Sequence, residues 1–264
     1  VDGTLALNTN GNGAATIVND AGLNFAASTV GGVLNATAAT GNITQSGALT
    51  ITGTSTLVTS ADNATIDLKV DSITNVFTGA LLITTNDSGS GTDGDVEIDN
   101  GTTNLVIGTS TIDGDLTLLS GETITDTNSS TVTVKGDLSA TTDVTNKDIT
   151  LDGLAVGCTE CTVNSSIALQ TVDSGSGSAT VVNATALDLA ASTVGGDLTV
   201  TATTGNVTQS GALDINGTGT TTITASASGA NITLNNAGND FEGDVSTTGN
   251  DVKLRVASNQ PISL

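Results

Sequence analysis

The chain has no histidine, tryptophan, tyrosine or methionine, one proline (Pro261), three phenylalanines and two cysteines in 264 residues. Each shortage excludes something. Without histidine there is no Ser-His-Asp or Cys-His catalytic arrangement and no imidazole metal site. Two carboxylates suffice for glycoside hydrolysis, and Asp93 and Asp95 form such a pair. With no Trp or Tyr platform to hold a sugar, a polysaccharide-cleaving enzyme stays a minor alternative, and the expectation is a protein that is not an enzyme. Five Lys and Arg stand against 27 Asp and Glu, a net charge of −22. That balance argues against nucleic-acid binding, which needs cations to neutralise phosphates, and against docking on anionic membranes. No apolar run approaches the ~18 residues of a membrane span. No basic region followed by an apolar one marks a signal peptide, and Val1-Asp2-Gly3 falls in mid-pattern. The chain is therefore expected to be a mature or excised segment of a larger protein.

What is present is repetition. Ser28-Thr29-Val30-Gly31-Gly32-Val33-Leu34 returns as Ser110-Thr111-Ile112-Asp113-Gly114-Asp115-Leu116 and as Ser192-Thr193-Val194-Gly195-Gly196-Asp197-Leu198, 82 residues apart each time. The first and third copies match best; the middle one diverges but keeps its apolar pairs. A fixed period of this kind builds a linear array of like units. Within each copy, apolar–x–apolar pairs recur at short intervals, as in Leu198-Thr199-Val200 and Ile232-Thr233-Leu234. That alternation marks short strands with one buried face, and the intervening Gly, Asn, Asp and Ser mark turns. The scarcity of aromatics fits a narrow solenoid of stacked Val, Leu and Ile better than a sandwich core. The scarcity of proline, which removes a ladder donor, agrees. Disorder is the competing reading of so polar a composition, but disordered chains do not keep apolar pairs in register through three copies.

The expected fold is all-β: a parallel β-helix of about 13 coils of about 20 residues, four coils to each repeat, with no significant helix. At ~4.8 Å per coil this is a rod roughly 60 Å long. The organisation expected is one continuous solenoid with super-repeats at approximately 1–80, 81–164 and 165–246 and a partial coil at 247–264.

Candidate sites are few. The densest acidic stretch runs from Asp87 to Asp99. Asp87, Asp93, Asp95 and Asp99 are the candidate ligands for Ca2+, the one cofactor the sequence raises. The spacing fits neither an EF-hand nor the β-roll nonapeptide, and the bland reading is a solvated turn. Cys158-Thr159-Glu160-Cys161 lacks the further ligands a zinc site needs. It reads as a local disulfide in a surface turn of an exported protein, with free thiols or an interchain link as alternatives. Asn-x-Ser/Thr sequons, Asn100 and Asn183 among them, license glycosylation only in a source that performs it. Thr-x-Thr spacings (Thr109/Thr111, Thr131/Thr133, Thr201/Thr203, Thr220/Thr222) raise ice binding, but do not fall at one coil position by sequence.

Leu198-Thr199-Val200, Thr203 through Gly211, and Asn239-Asp240-Phe241-Glu242-Gly243-Asp244-Val245 resemble bacterial filamentous-haemagglutinin-like surface adhesins. The resemblance implies a right-handed coil, export, surface display and adhesion or matrix roles, and transfers no binding residue. The leading expectation is an extracellular stalk or fibre subunit whose partners are itself, by end-to-end or lateral association, and host, neighbouring-cell or matrix polymers. The alternative is an adhesin module that binds a glycan or protein directly.

Overall fold

The computed structural model describes residues 3–70, 72–86, 93–157, 165–216 and 219–257. Among these residues every regular element is a strand, and no helix is long and apolar enough to cross a membrane. The strands form three parallel sheets of 13, 15 and 3 strands, here the front, back and side sheets. The chain visits them in rotation: Leu34–Ala38 is in front, Ile43–Gln45 at the back, Leu49–Ile51 at the side and Ser55–Thr59 in front again. This is the expected parallel β-helix. The main path through the front sheet has 11 strands, fewer than the coils expected. Coils are longer and less even than the sequence led us to expect. Ala15 pairs with Leu34 and Leu34 with Ser55, but Ser55 pairs with Leu81 and Ile149 with Ala179. The extra residues lie between strands, where added length costs little entropy.

Alternation builds the core. Ser55–Thr59, Leu116–Ser120 and Leu198–Ala202 each bury every second residue. The buried positions stack coil upon coil: Ile43, Ile66, Val96, Leu116, Leu138 and Ile167 form one unbroken ladder, each essentially inaccessible. Each such side chain contributes about 1.5–3 kcal/mol on burial. Phe25, Phe77 and Phe241 are all buried in the same core.

Each coil has a broad side, a strand of four or five residues, and a bent side made of two short stretches meeting at a corner. In the first copy the broad strands are in front. In the second they are at the back: Val96–Asp99, Leu116–Ser120, Leu138–Thr142 and Ile167–Gln170. In the third they return to the front, as Ala179–Asn183, Leu198–Ala202 and Thr221–Ala225. Equivalent residues change sides accordingly. Leu34 and Leu198 lie in front and Leu116 at the back; Ile66 and Ile232 lie at the back and Ile149 in front. From Leu34 the chain passes the front sheet at Ser55, Leu81 and Leu105 before reaching Leu116 at the back. A copy is thus three and a half coils, where the sequence led us to expect four. At each change of side one broad strand pairs with both halves of a bent one. Leu81–Thr84 pairs with Leu105–Ile107 and Ser110–Ile112, and Ile167–Gln170 with Leu187–Leu189 and Ser192–Val194.

Candidate functional site

The residue just before a strand sits at a corner of the coil, and at many corners it is Asp, Asn or Ser. Its side-chain oxygen accepts the backbone N–H of the equivalent residue one coil on. Asp95 Oδ1 accepts from Asp115 N (2.9 Å), Asp115 Oδ1 from Asp137 N (2.7 Å) and Asp137 Oδ1 from Ser166 N (2.7 Å). Asp148, Asp197, Asn206 and Asn231 do the same for Ser178, Thr220, Asn231 and Asp251. A carboxylate accepting a backbone N–H is a charge-assisted bond, so these five aspartates serve as coil-to-coil fasteners. The arrangement also crowds like charges together. Burial raises the Asp115 carboxyl above its ordinary value, and the Asp95 and Asp137 charges push the same way, against the lowering effect of the Asp137 N–H. Burial likewise raises Asp126, which accepts from Gly153 N at 2.7 Å, and Asp214, which also faces Asp173, Asp240 and Glu242.

The candidate Ca2+ ligands part company in this arrangement. Asp95 is a corner fastener. Asp99, at the end of its strand, accepts the N–H of Gly101 at 2.7 Å. Asp93 hydrogen-bonds to Asp113, which raises the Asp93 carboxyl, with the Asp62 charge adding to the effect. Asp113 is buried and holds the Lys135 ammonium at 2.8 Å. Among the described residues no group of three or more Asp, Glu, Cys or His side chains is placed to hold a metal ion. Asp87 lies outside the described residues, as do Cys158 and Cys161. A groove of about 500 Å3 near the start of the chain is lined by Thr4, Asn24, Asn42 and several glycines, and no charged side chain lines it.

The polar residues with the most demanding geometry are asparagines whose structural role the sequence did not reveal. Asn100 is fully buried at the first change of side. Its Oδ1 accepts Phe77 N (2.7 Å) and its Nδ2 donates to Phe77 O (3.1 Å), as a neighbouring strand would. Asn183 does the same for Val156 at the second, with 2.8 and 3.0 Å. Each amide thus closes the bent half-strand that the next broad strand does not reach. Both residues head sequons, and with their amides enclosed neither is open to glycosylation in the folded rod. Asn75 and Asn239, also fully buried, fill the bent corner: each accepts a strand N–H, from Leu49 and Leu213, and each meets a glutamine, Gln45 and Gln209. The recurring Ser-Thr-Val/Ile motif is explained too. Ser28, Ser110 and Ser192 turn inward to accept the N–H of Leu7, Ile83 and Leu169. The following Thr faces out, and Val30, Ile112 and Val194 are buried. The sequence signal for the inward role of these asparagines is their spacing, 100 to 183 and 75 to 239.

No curated protein and no solved structure matches the chain. A family described as repeats of unknown function (DUF5649) matches residues 11–84, 93–155 and 176–248, one repeat for each three-and-a-half-coil copy. With these three repeats spanning most of its length, the chain belongs to that family.

Proposed function

We propose that the chain is a structural segment, a stalk or fibre subunit, of an extracellular adhesin-like surface or matrix protein, without enzymatic activity. One observation carries this reading: the side chains that recur from copy to copy are those that hold coil to coil. Ser28/Ser110/Ser192 and Asn100/Asn183 all bond backbone, and the repeated apolar positions are buried. Of the outward positions the motif's Thr29, Thr111 and Thr193 recur, while others such as Asn35, Thr117 and Thr199 or Thr50, Thr133 and Asp214 differ between copies, and no charged or aromatic outward cluster repeats. A repeated binding module would keep an outward cluster, whereas a scaffold needs only its inward grammar. The 11 strands of the main front path, at ~4.8 Å per rung, make a rod ~50 Å long, and further repeats add length without changing the cross-section. The resemblance to filamentous-haemagglutinin-like adhesins supports the extracellular placement. The proposed partners are other copies of the chain and the polymers of neighbouring surfaces or matrix.

Antibody labelling of intact producing cells, compared with permeabilised ones and followed by electron microscopy of the released material, tests the proposal. Labelling of intact cells and straight rods are expected. Labelling confined to permeabilised cells would overturn the extracellular reading, and compact particles would overturn the structural one.

A further inference from the structure

The outward side chains of the front sheet form a surface unlike the rest of this acidic chain. In register, Thr125, Thr150, Thr180, Thr199, Thr222 and Ser246 make a column of six hydroxyl side chains on consecutive rungs. Beside it runs a second column, Val182, Thr201, Thr224 and Thr248. Of the Thr-x-Thr residues picked out in the sequence, Thr222 lies in the first column and Thr201 in the second, and Thr111 pairs with Thr133 on the same sheet. Towards the start of the chain the same face carries Val18, Val58, Leu82 and Val106, with Val18 69% exposed. The described front strands carry only two charged residues, Asp126 and Asp152, which meet at the register shift between Leu151 and Leu154. The back strands, by contrast, carry Asp67, Glu97, Asp99 and Asp188 among others.

Three quantities bear on what covers this face. Neighbouring hydroxyls in a column are one strand spacing apart, ~4.8 Å, too far to bond one another at ~2.8 Å. None of the six hydroxyls in the first column bonds a group of the described chain, so each has a donor and an acceptor to offer. Eleven rungs of three to five residues give roughly 700 Å2, close to what each partner buries in a standard stable interface. A second copy presents the same column spacing, the same hydroxyls as both donors and acceptors, and a face with almost no carboxylates to repel.

We propose that two copies of this chain pair front sheet to front sheet. The pairing rests on the structural reading above and names the surface it uses. Corner acids such as Asp148, Asp197 and Asp244 border the face, so the pairing is opposed by edge repulsion that salt screens. Sedimentation equilibrium of the full chain from ~0.05 to ~1 M NaCl tests it. A reversible dimer that tightens with salt is expected. The pair Thr199→Glu and Thr222→Glu weakens it by ~10-fold or more, while Thr117→Glu with Ser139→Glu on the back sheet, at identical net charge, leaves it unchanged. Circular dichroism of each variant checks that the fold is intact. Wild-type rods that stay single across the salt series, or front and back variants that behave alike, overturn the pairing and leave the stalk reading standing. Single rods that shape ice crystals in a freezing droplet also overturn it, assigning the hydroxyl columns to ordered water.

Discussion

Asn100 and Asn183 make the rod's change of side chemically possible. Each stands in for a missing strand by bonding both the N–H and the C=O of one buried residue. Asn100→Leu leaves both groups of Phe77 unpaired, and we expect a loss of about 3 kcal/mol in denaturant unfolding. Ser110→Ala removes the side-chain acceptor of the Ile83 N–H. In the same measurement it should cost about 1–2 kcal/mol. Thr233 faces outward from the back sheet, and Thr233→Ala should leave the unfolding midpoint nearly unchanged. Half-buried carboxylates set the pH response. Asp115, Asp126 and Asp214 are raised in the fold above the ordinary value of 3.8, chiefly by burial. The folded rod therefore holds protons more tightly than the unfolded chain, and stability falls as pH rises through the raised values. Lower net charge acts in the same direction. Thermal unfolding at neutral pH should occur at a lower temperature than at mildly acid pH, just above the ordinary carboxylate range; a melting temperature that falls on acidification would contradict this. Little of this was legible in the sequence. An Asn after an apolar pair reads as a turn, and nothing local says that its amide points inward.

Strands, by contrast, could be read directly. Thr131-Val132-Thr133-Val134 and Leu198-Thr199-Val200 alternate because each coil buries one face, and the structure places Val132–Val134 and Leu198–Ala202 accordingly. What alternation could not show is whether a strand is a whole broad side or half of a bent one, since both bury every second residue. Corners were visible as Gly clusters, and their reason is contact. Gly32, Gly53 and Gly79 stack at one corner; a Cβ on Gly53 would lie 2.5 Å from the carbonyl of Gly32, while the Gly53 N–H donates to that same oxygen at 3.1 Å. Gly53→Ala must push two backbones apart and should destabilise by about 2 kcal/mol or more, with no new outward charge to confuse the result. An unfolding midpoint equal to wild type would show that the corner gives way freely.

On the scale of the whole rod, the 82-residue period was plain in the sequence and its geometry was not. Period and coil length are separate quantities. Coils as unequal as those from Ala15 to Leu34 and from Ile149 to Ala179 hide the half-turn. The consequence is a screw: copies alternate broad side front and back, and a given face repeats only every two copies. That is why an outward feature of one copy, such as the acidic corner of Asp95, Asp115 and Asp137, has its third-copy counterpart Asp197 on the other side of the rod. Asn35, Thr117 and Thr199 occupy one repeat position and face outward from broad strands. Spin labels placed there in pairs, with Cys158 and Cys161 replaced by serine, measure the screw by pulsed dipolar spectroscopy. Seven rungs along one face put 35 and 199 ~34 Å apart. The half-turn predicts that 35 and 117, on opposite faces with the ~10 Å between sheets and two outward tethers added, lie well beyond half that distance. A 35–117 separation close to half the 35–199 value would mean whole coils per repeat and would contradict the account.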